Sequence, residues 1–292
     1  RAVLEQLAPW LESAGFRCEW MEVDASTGKA NLIATKGHGD GGLVLAGHSD
    51  TVPYDEKLWH SDPFILTERD DKLFGLGSAD MKSFLALAIE AAREVSEKDL
   101  KEPLIILATC DEETSMSGAK AIAKAGWPKA RQAVIGEPTG LKPIRLHKGV
   151  MMEGITITGQ AGHSSNPALG NNALDGMLKV MNALSELRQQ LQDKHQHPGF
   201  EIQVPTMNFG CIHGGDNPNR ICGGCELHID LRPVPGMTIG DSRRQVRKTC
   251  QQALEGTGLS VEFEMLFDGI EPLDTPADAE IVRLCEELTG HG

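Results

Sequence analysis

A chain of 292 residues, 40% hydrophobic and 24% charged, has the composition of a globular protein with room for about two domains. Its net charge of −14 argues against nucleic acid or an anionic membrane surface as partner, and no apolar run approaches the ~20 residues of a membrane span. Seven cysteines, scattered from Cys18 to Cys285, suit the reduced thiols of a cytoplasmic protein better than a disulfide framework.

Val3, Leu4, Leu7, Leu11 and Ala14 recur at helical spacing and predict a helix over Ala2–Ala14. The apolar run Leu43–Ala46 predicts a buried strand, and Gly47-His48-Ser49-Asp50 follows where it ends. Asp80 opens the helix-patterned stretch Met81–Val95. A second buried strand, Leu104–Ala108, leads to Asp111-Glu112-Glu113 and then to a helix over Ser115–Lys124. The shorter run Ala133–Ile135 ends at Gly136-Glu137-Pro138. Apolar strands separated by helices predict an α/β domain with a mostly parallel sheet covered by helices. Ligands of such sheets bind beyond the carboxyl ends of the strands, where His48, Glu112, Glu113 and Glu137 lie.

From Val150 the pattern changes. A strand over Gly154–Thr158 precedes a helix with Leu174, Met177, Met181, Leu184, Leu187 and Leu191 on one face. Strands Thr206–Ile212 and Ile221–Leu231, a helix over Ser242–Leu254 and a strand over Val261–Phe267 complete a ferredoxin-like βαββαβ order. A last helix over Pro276–Leu288 is assigned back to the first domain. The expected organisation is therefore a catalytic domain of residues 1–149 plus 268–292 with residues 150–267 inserted as an α+β domain. Cys222-Gly-Gly-Cys225 has redox or zinc-ligand spacing but no companion pair, so both are read as structural; His195 and His197 are read as solvated loop residues.

If the four acidic or histidine-bearing segments meet, Asp80, Glu112, Glu113 and Glu137 crowd their charges. Each like-charged pair at ~4 Å costs about 4 kcal/mol at an effective dielectric of 20, and cations relieve it. His48 suits zinc, and Asp50 two residues on can orient its ring. Each segment has a plainer explanation: a hydrogen-bonded core histidine beside a turn aspartate, an N-cap at Asp80, an acidic turn at Glu112 and Glu113, and a rigid turn of Gly136 and Pro138 around Glu137. All four together point to a metallohydrolase.

The segments Gly47-His-Ser-Asp-Thr-Val-Pro53, Gly77-Ser-Ala-Asp-Met-Lys82, Asp111-Glu-Glu-Thr-Ser115 and Ile135-Gly-Glu-Pro-Thr139 resemble the dinuclear zinc deacylases, a carboxypeptidase-like metallohydrolase family. Gly162-His-Ser-Ser165 and Asn219-Arg-Ile221 extend the likeness over nearly the whole chain. The resemblance implies that His48, Asp80 and Glu137 bind one metal, and that Asp80 bridges to a second held also by Glu113. It makes Asp50 the group that orients His48, and Glu112 the general base and acid. His163 is implied to reach the partner subunit's site and steady the oxyanion, with Asn219 and Arg232 binding substrate. Two Zn2+ per subunit, with Co2+ as a substitute, and a homodimer joined through the inserted lid domain are implied as well. The implied substrate is a small acylated amino acid. Loss of acetate from the α-amino group of ornithine, in arginine biosynthesis, stands ahead of a related cleavage such as that of succinyl-diaminopimelate. The family takes a final His ligand from nearer the C-terminus, and His291 is poorly placed to replace it. A chain trimmed at both ends is thus expected, with a catalytically incomplete dimerising fragment as the rival from another class.

Overall fold

Leu4, Leu7, Ala8 and Leu11 fall on one side of helix α1 (Ala2–Ser13) at the helical period, and all four are buried. This helix opens the first of two units in the computed structural model, which describes residues 1–291. One unit holds Arg1–Pro143 with the residues from Leu284 on, the other Ile144–Arg283. In the first unit α1 is followed by β1 (Arg17–Asp24), β2 (Lys29–Lys36), β3 (Leu43–His48) and a short hairpin of β4 (Thr67–Arg69) and β5 (Lys72–Phe74). Then come α2 (Lys82–Arg93), β6 (Leu104–Thr109), α3 (Ser117–Ala125) and β7 (Gln132–Ile135).

The main sheet runs β1-β2-β6-β3-β7 and is mixed, where the sequence predicted a mostly parallel one. β3 lies parallel to β6 and β7, but β1–β2 and β2–β6 are antiparallel. Only residues 25–28 separate β1 from β2, far fewer than the dozen or so that a parallel crossover needs. Asp24 fastens that turn by accepting hydrogen bonds from the Ser26 N–H and from the Ser26 and Thr27 hydroxyls. Neither β1 nor β2 was read from the sequence. On β2 the apolar pattern is broken by Asn31 and Lys36, which are nonetheless buried because each is bonded; Lys36 Nζ donates to the Ala92 carbonyl at 3.0 Å.

The sheet is covered on both faces. Leu32, Ala34 and Ile106 pack with Leu4, Leu11, Leu85 and Ile89 of α1 and α2. Ile33, Val44, Ile105 and Leu107 point the other way and meet Ile122 of α3 and Trp127. Two apolar layers thus hold the carboxyl ends of β3, β6 and β7 beside one another.

The second unit contains β8 (Leu146–His147), β9 (Val150–Thr158), β10 (Gly162–His163), α4 (Ala173–Lys194), β11 (Thr206–Gly214) and β12 (Arg220–Ile221). β13 (Gly224–Arg232), α5 (Ile239–Ala253), β14 (Ser260–Ile270) and β15 (Leu273–Asp274) follow, and α6 (Glu280–Thr289) begins with the last residues of this unit and ends with residues of the first. Its antiparallel sheet runs β11-β13-β9-β14. Alternating residues Met151, Ile155, Ile157, Leu227, Ile229 and Leu231 bury against Met177, Val180 and Leu184 of α4 and Val246 and Cys250 of α5. Glu153, fully buried on the same row of β9, is held by Arg243 Nε at 2.8 Å and Arg247 Nε at 2.6 Å, both from α5. Helix α5 begins three residues before the predicted start because Thr238 caps it, its Oγ1 accepting from the Asp241 N–H at 3.1 Å.

Cys222 and Cys225 are both buried in this core, and Cys222 Sγ donates to the Gly224 carbonyl. The strand is interrupted between β12 and β13, so the two thiols can both enter the core, where one unbroken strand would have divided them. His197, expected in solvent, instead bonds Asp274 at 3.0 Å and meets the Phe200 ring edge-on. All seven cysteines are free. Among the described residues no helix is long and apolar enough to cross a membrane.

Candidate metal centre

Gly47 lets α2 approach the end of β3. A Cβ there would sit 2.9 Å from the Met81 side chain and 3.1 Å from Leu85. That close approach brings Asp80, just before α2, to His48 at the tip of β3: His48 Nε2 lies 3.0 Å from Asp80 Oδ1. The N-cap position of α2 is Met81, without a side-chain cap bond, so the carboxylate of Asp80 faces the histidine rather than capping the helix. Gly136 plays the same part at the end of β7, where the Phe84 ring occupies the place of its missing side chain. Its N–H bonds the Ala46 carbonyl, and Glu137 follows with Oε1 at 3.9 Å from His48 Nε2.

The other pair of carboxylates lies on the loop after β6. Asp111 takes a positive φ of 62° there and is buried. It accepts hydrogen bonds from Thr114 Oγ1 at 2.7 Å, Ser117 Oγ at 2.8 Å, the Ser115 hydroxyl and Lys29 Nζ. Burial alone would raise its pKa; the Lys29 ammonium and the three hydroxyls outweigh this and hold it well below the usual carboxylate range. Glu112 and Glu113 follow on this braced turn, and the Glu113 N–H donates to Asp50 Oδ2 at 3.1 Å.

Two sets of ligand atoms lie within 4.8 Å of one another, His48 with Asp80 and Glu137, and His48 with Glu112 and Glu113. The structure thus brings together, around one buried imidazole, five of the residues singled out in the sequence. His48 Nδ1 is 3.1 Å from the Asp50 backbone carbonyl and 3.6 Å from Asp50 Oδ1. A carbonyl only accepts, so Nδ1 carries the proton and Nε2 turns toward Asp80 and Glu137 as a ligand atom would. Asp50 therefore orients the ring through its backbone, while its Oδ1 is left over. That oxygen and Glu113 Oε1 are buried and have no hydrogen-bond partner among the described residues. Glu113 belongs to one of the two ligand groups, and a buried, unpaired carboxylate oxygen beside a histidine is a donor that a divalent cation takes; the residues of both groups fit one.

Without a cation the cluster holds on to protons. Burial raises the pKa of Glu112 and of Glu137, and neighbouring carboxylates add to it against the pull of His48. Burial opposes the charged form of His48, but Asp80, Asp50, Glu112 and Glu137 prevail and raise its pKa.

The remaining candidates belong to the second unit. β10 pairs with β12, setting His163 opposite Arg220. His163 Nδ1 accepts from the Ser165 N–H at 3.2 Å, which leaves the proton on Nε2 at the exposed edge of the ring. The Asn219 carbonyl accepts from the Ser164 N–H and ties the two segments together. Arg232 makes a two-pronged pair with Asp230, at 2.7 and 2.9 Å, so its guanidinium is engaged within its own strand. Sequence reasoning missed Lys29, Asn31 and the bracing role of Asp111. The one local signal was Asp111 followed by Thr114, Ser115 and Ser117.

A model of peptidase family M20/M25/M40 matches residues 44–291. Curated relatives include the acetylornithine deacetylase of Pasteurella multocida, 46% identical over 290 residues that cover 99% of this chain and 76% of that protein. The acetylornithine deacetylase of Proteus mirabilis is 47% identical over 289 residues, 99% of this chain and 75% of that protein. Among solved structures the fold is similar to aminopeptidase PepT from Bacillus cereus, with a TM-score of 0.73 at 20% identity over 99% of this chain and 76% of that one. An M20 family metallo-carboxypeptidase from Sulfolobus solfataricus gives 0.68 at 17% identity over 99% of this chain and 79% of that one.

Proposed function

Since the chain belongs to peptidase family M20/M25/M40, a family of metal-dependent amide hydrolases, we infer that it cleaves N-acetylornithine to ornithine and acetate, as its relatives' names state for them. The observation that carries this is the imidazole of His48 set between Asp80 and Glu137, with a carboxylate oxygen of Glu113 buried and unpaired nearby. His48, Asp80 and Glu137 would hold one zinc ion, and Asp80 with Glu113 would share in a second; cobalt would serve in place of zinc. Bound there, divalent metal polarises the amide carbonyl and makes water a nucleophile near neutral pH.

The chain's own groups do the rest. Glu112 accepts a proton from the attacking water as the new C–O bond forms, and returns it to the amine as the C–N bond breaks. His163, holding its proton on Nε2, would donate to the oxyanion in a partner subunit's site. Arg232 would turn from Asp230 to the substrate carboxylate, with Asn219 beside it.

The second unit would act as lid and dimerisation domain. Exposed Leu174 and Leu178 on α4 and Ile212 on edge strand β11 supply apolar surface for a partner copy. Seven free thiols suit a cytoplasmic enzyme. The test is hydrolysis of N-acetylornithine against succinyl-diaminopimelate, with metal analysis of the same sample. Faster turnover of the succinyl substrate, or full activity in metal-free protein, would overturn this reading.

A further inference from the structure

Strand β2 changes character along one of its rows. Ile33 is core on the face that α3 covers, Asn31 two residues earlier is polar yet fully buried, and Lys29 two earlier again is cationic. All three point to the same side of the sheet, because strand side chains alternate. The row ends at the loop that carries Glu112 and Glu113.

Asn31 clasps both ends of that loop with one side chain. Its Oδ1 accepts from the Cys110 N–H at 3.1 Å, and its Nδ2 donates to the Gly118 carbonyl at 2.9 Å. The fit is close: a Cβ on Gly118 would lie 2.5 Å from Asn31 Oδ1 and 2.4 Å from the Cys110 carbonyl oxygen. Lys29 grips the first residue of the turn, its Nζ 2.5 Å from Asp111 Oδ1. The opposite oxygen of Asp111 takes the Ser115 and Ser117 hydroxyls, and its backbone carbonyl takes the Met116 N–H at 2.7 Å. Glu112 and Glu113 therefore stand on a turn held at both ends and at its first residue, all from outside the loop or by hydroxyls within it.

We propose that Lys29 and Asn31 are positioning residues for the hydrolysis, setting the Glu112 and Glu113 carboxylates through Asp111 and the two loop ends. Neither is among the residues gathered around His48. They act through the loop, and β2 is the ruler against which it is set. Because Asn31 is buried and satisfies two backbone groups, its removal costs folding as well as placement. Lys29, with a side chain 40% exposed, separates the two effects. This inference rests on the metal-hydrolase reading, but its test does not depend on the substrate.

The full chain is compared with its Lys29→Met, Lys29→Arg, Asn31→Ala and Asp111→Asn variants. Calorimetric zinc titration and amide hydrogen exchange of the metal-free protein are read first. For Lys29→Met we expect roughly 10–100-fold weaker zinc binding, as for loss of other outer partners of metal ligands, and faster exchange at the Glu113 amide, with a smaller drop in melting temperature than Asn31→Ala gives. Lys29→Arg should recover most of the affinity, and Lys29→Met should add little to Asp111→Asn. With N-acetylornithine, kcat should fall about 10–100-fold while KM holds. Wild-type zinc affinity and wild-type exchange in Lys29→Met would overturn the proposal, and so would a loss that Lys29→Arg fails to restore. A wild-type chain that turns over succinyl-diaminopimelate faster than N-acetylornithine overturns the substrate assignment instead, and leaves the zinc and exchange comparisons standing.

Discussion

Glu112 and Glu113 are adjacent, yet their chemistry should separate on substitution. Glu112→Gln should retain zinc and lose roughly 10²–10⁴ in kcat, the usual contribution of a positioned base. Glu113→Gln should chiefly weaken zinc binding; the reverse pattern, read by calorimetry and kinetics, would exchange their roles. The same cluster sets a pH dependence. Glu112 and Glu137 are raised by burial from 4.5, and His48 is raised from 6.5 by Asp80 and its neighbours against burial. A group with a raised folded pKa contributes stability below its unfolded value and loses that contribution as pH climbs through the folded one. The metal-free protein should therefore melt at falling temperature as pH rises from 4.5 through and past 6.5, and added zinc, which competes for the same sites, should flatten or reverse the trend. A metal-free melting temperature that climbs over this range would refute it. At this scale the sequence was readable where a polar residue follows an apolar run, which is how His48 and Glu137 stood out. Lys29 was not readable, because its partner Asp111 lies 82 positions away and nothing local marks the pair.

Elements were legible in proportion to how plainly their burial shows as apolar pattern. The α1, α2 and α4 stripes and the runs of β3 and β6 are nearly uninterrupted. Strands β1 and β2 were not legible, since an edge strand facing solvent and a strand carrying buried, bonded Asn31 and Lys36 both dilute that pattern. Missing them also concealed that the sheet is mixed. Gly47 and Gly136 stood in the sequence only as members of their segments, whereas in the structure they admit α2. Gly136→Ala would put a Cβ 1.9 Å from the Phe84 ring. Overpacking of this kind costs typically about 1–3 kcal/mol. The variant should melt several degrees lower and bind zinc less tightly, because Glu137 moves with its neighbour. Wild-type behaviour in both measurements would show that Phe84 yields without moving the strand end.

For the whole molecule, the proposed exchange of His163 between subunits makes a mixing experiment decisive. Equimolar Glu112→Gln and His163→Ala chains, each inactive alone, should regain part of the activity once mixed dimers form. Mixed dimers confirmed by mass but still inactive would place His163 in service of its own chain. Buried Glu153 bears on a different matter, the number of ways the second unit can assemble. Arg243 and Arg247 stand one helical turn apart on α5 and converge on that single carboxylate. An axial slip of α5 by one turn, about 5.4 Å, would present one arginine at the old station of the other. It would leave Gln251 or Ile239 at the vacated place, so Glu153 would keep one cation instead of two. An apolar contact tolerates such a slip far better than a buried carboxylate does. The pair of arginines is in this sense a vernier: it tells a nearly correct docking of the helix from the correct one, a distinction that oily surfaces alone draw poorly. Arg243→Met/Arg247→Met combined with Glu153→Met would remove the vernier while keeping the volume, and we expect a protein that still folds but shows more than one set of resonances for α5.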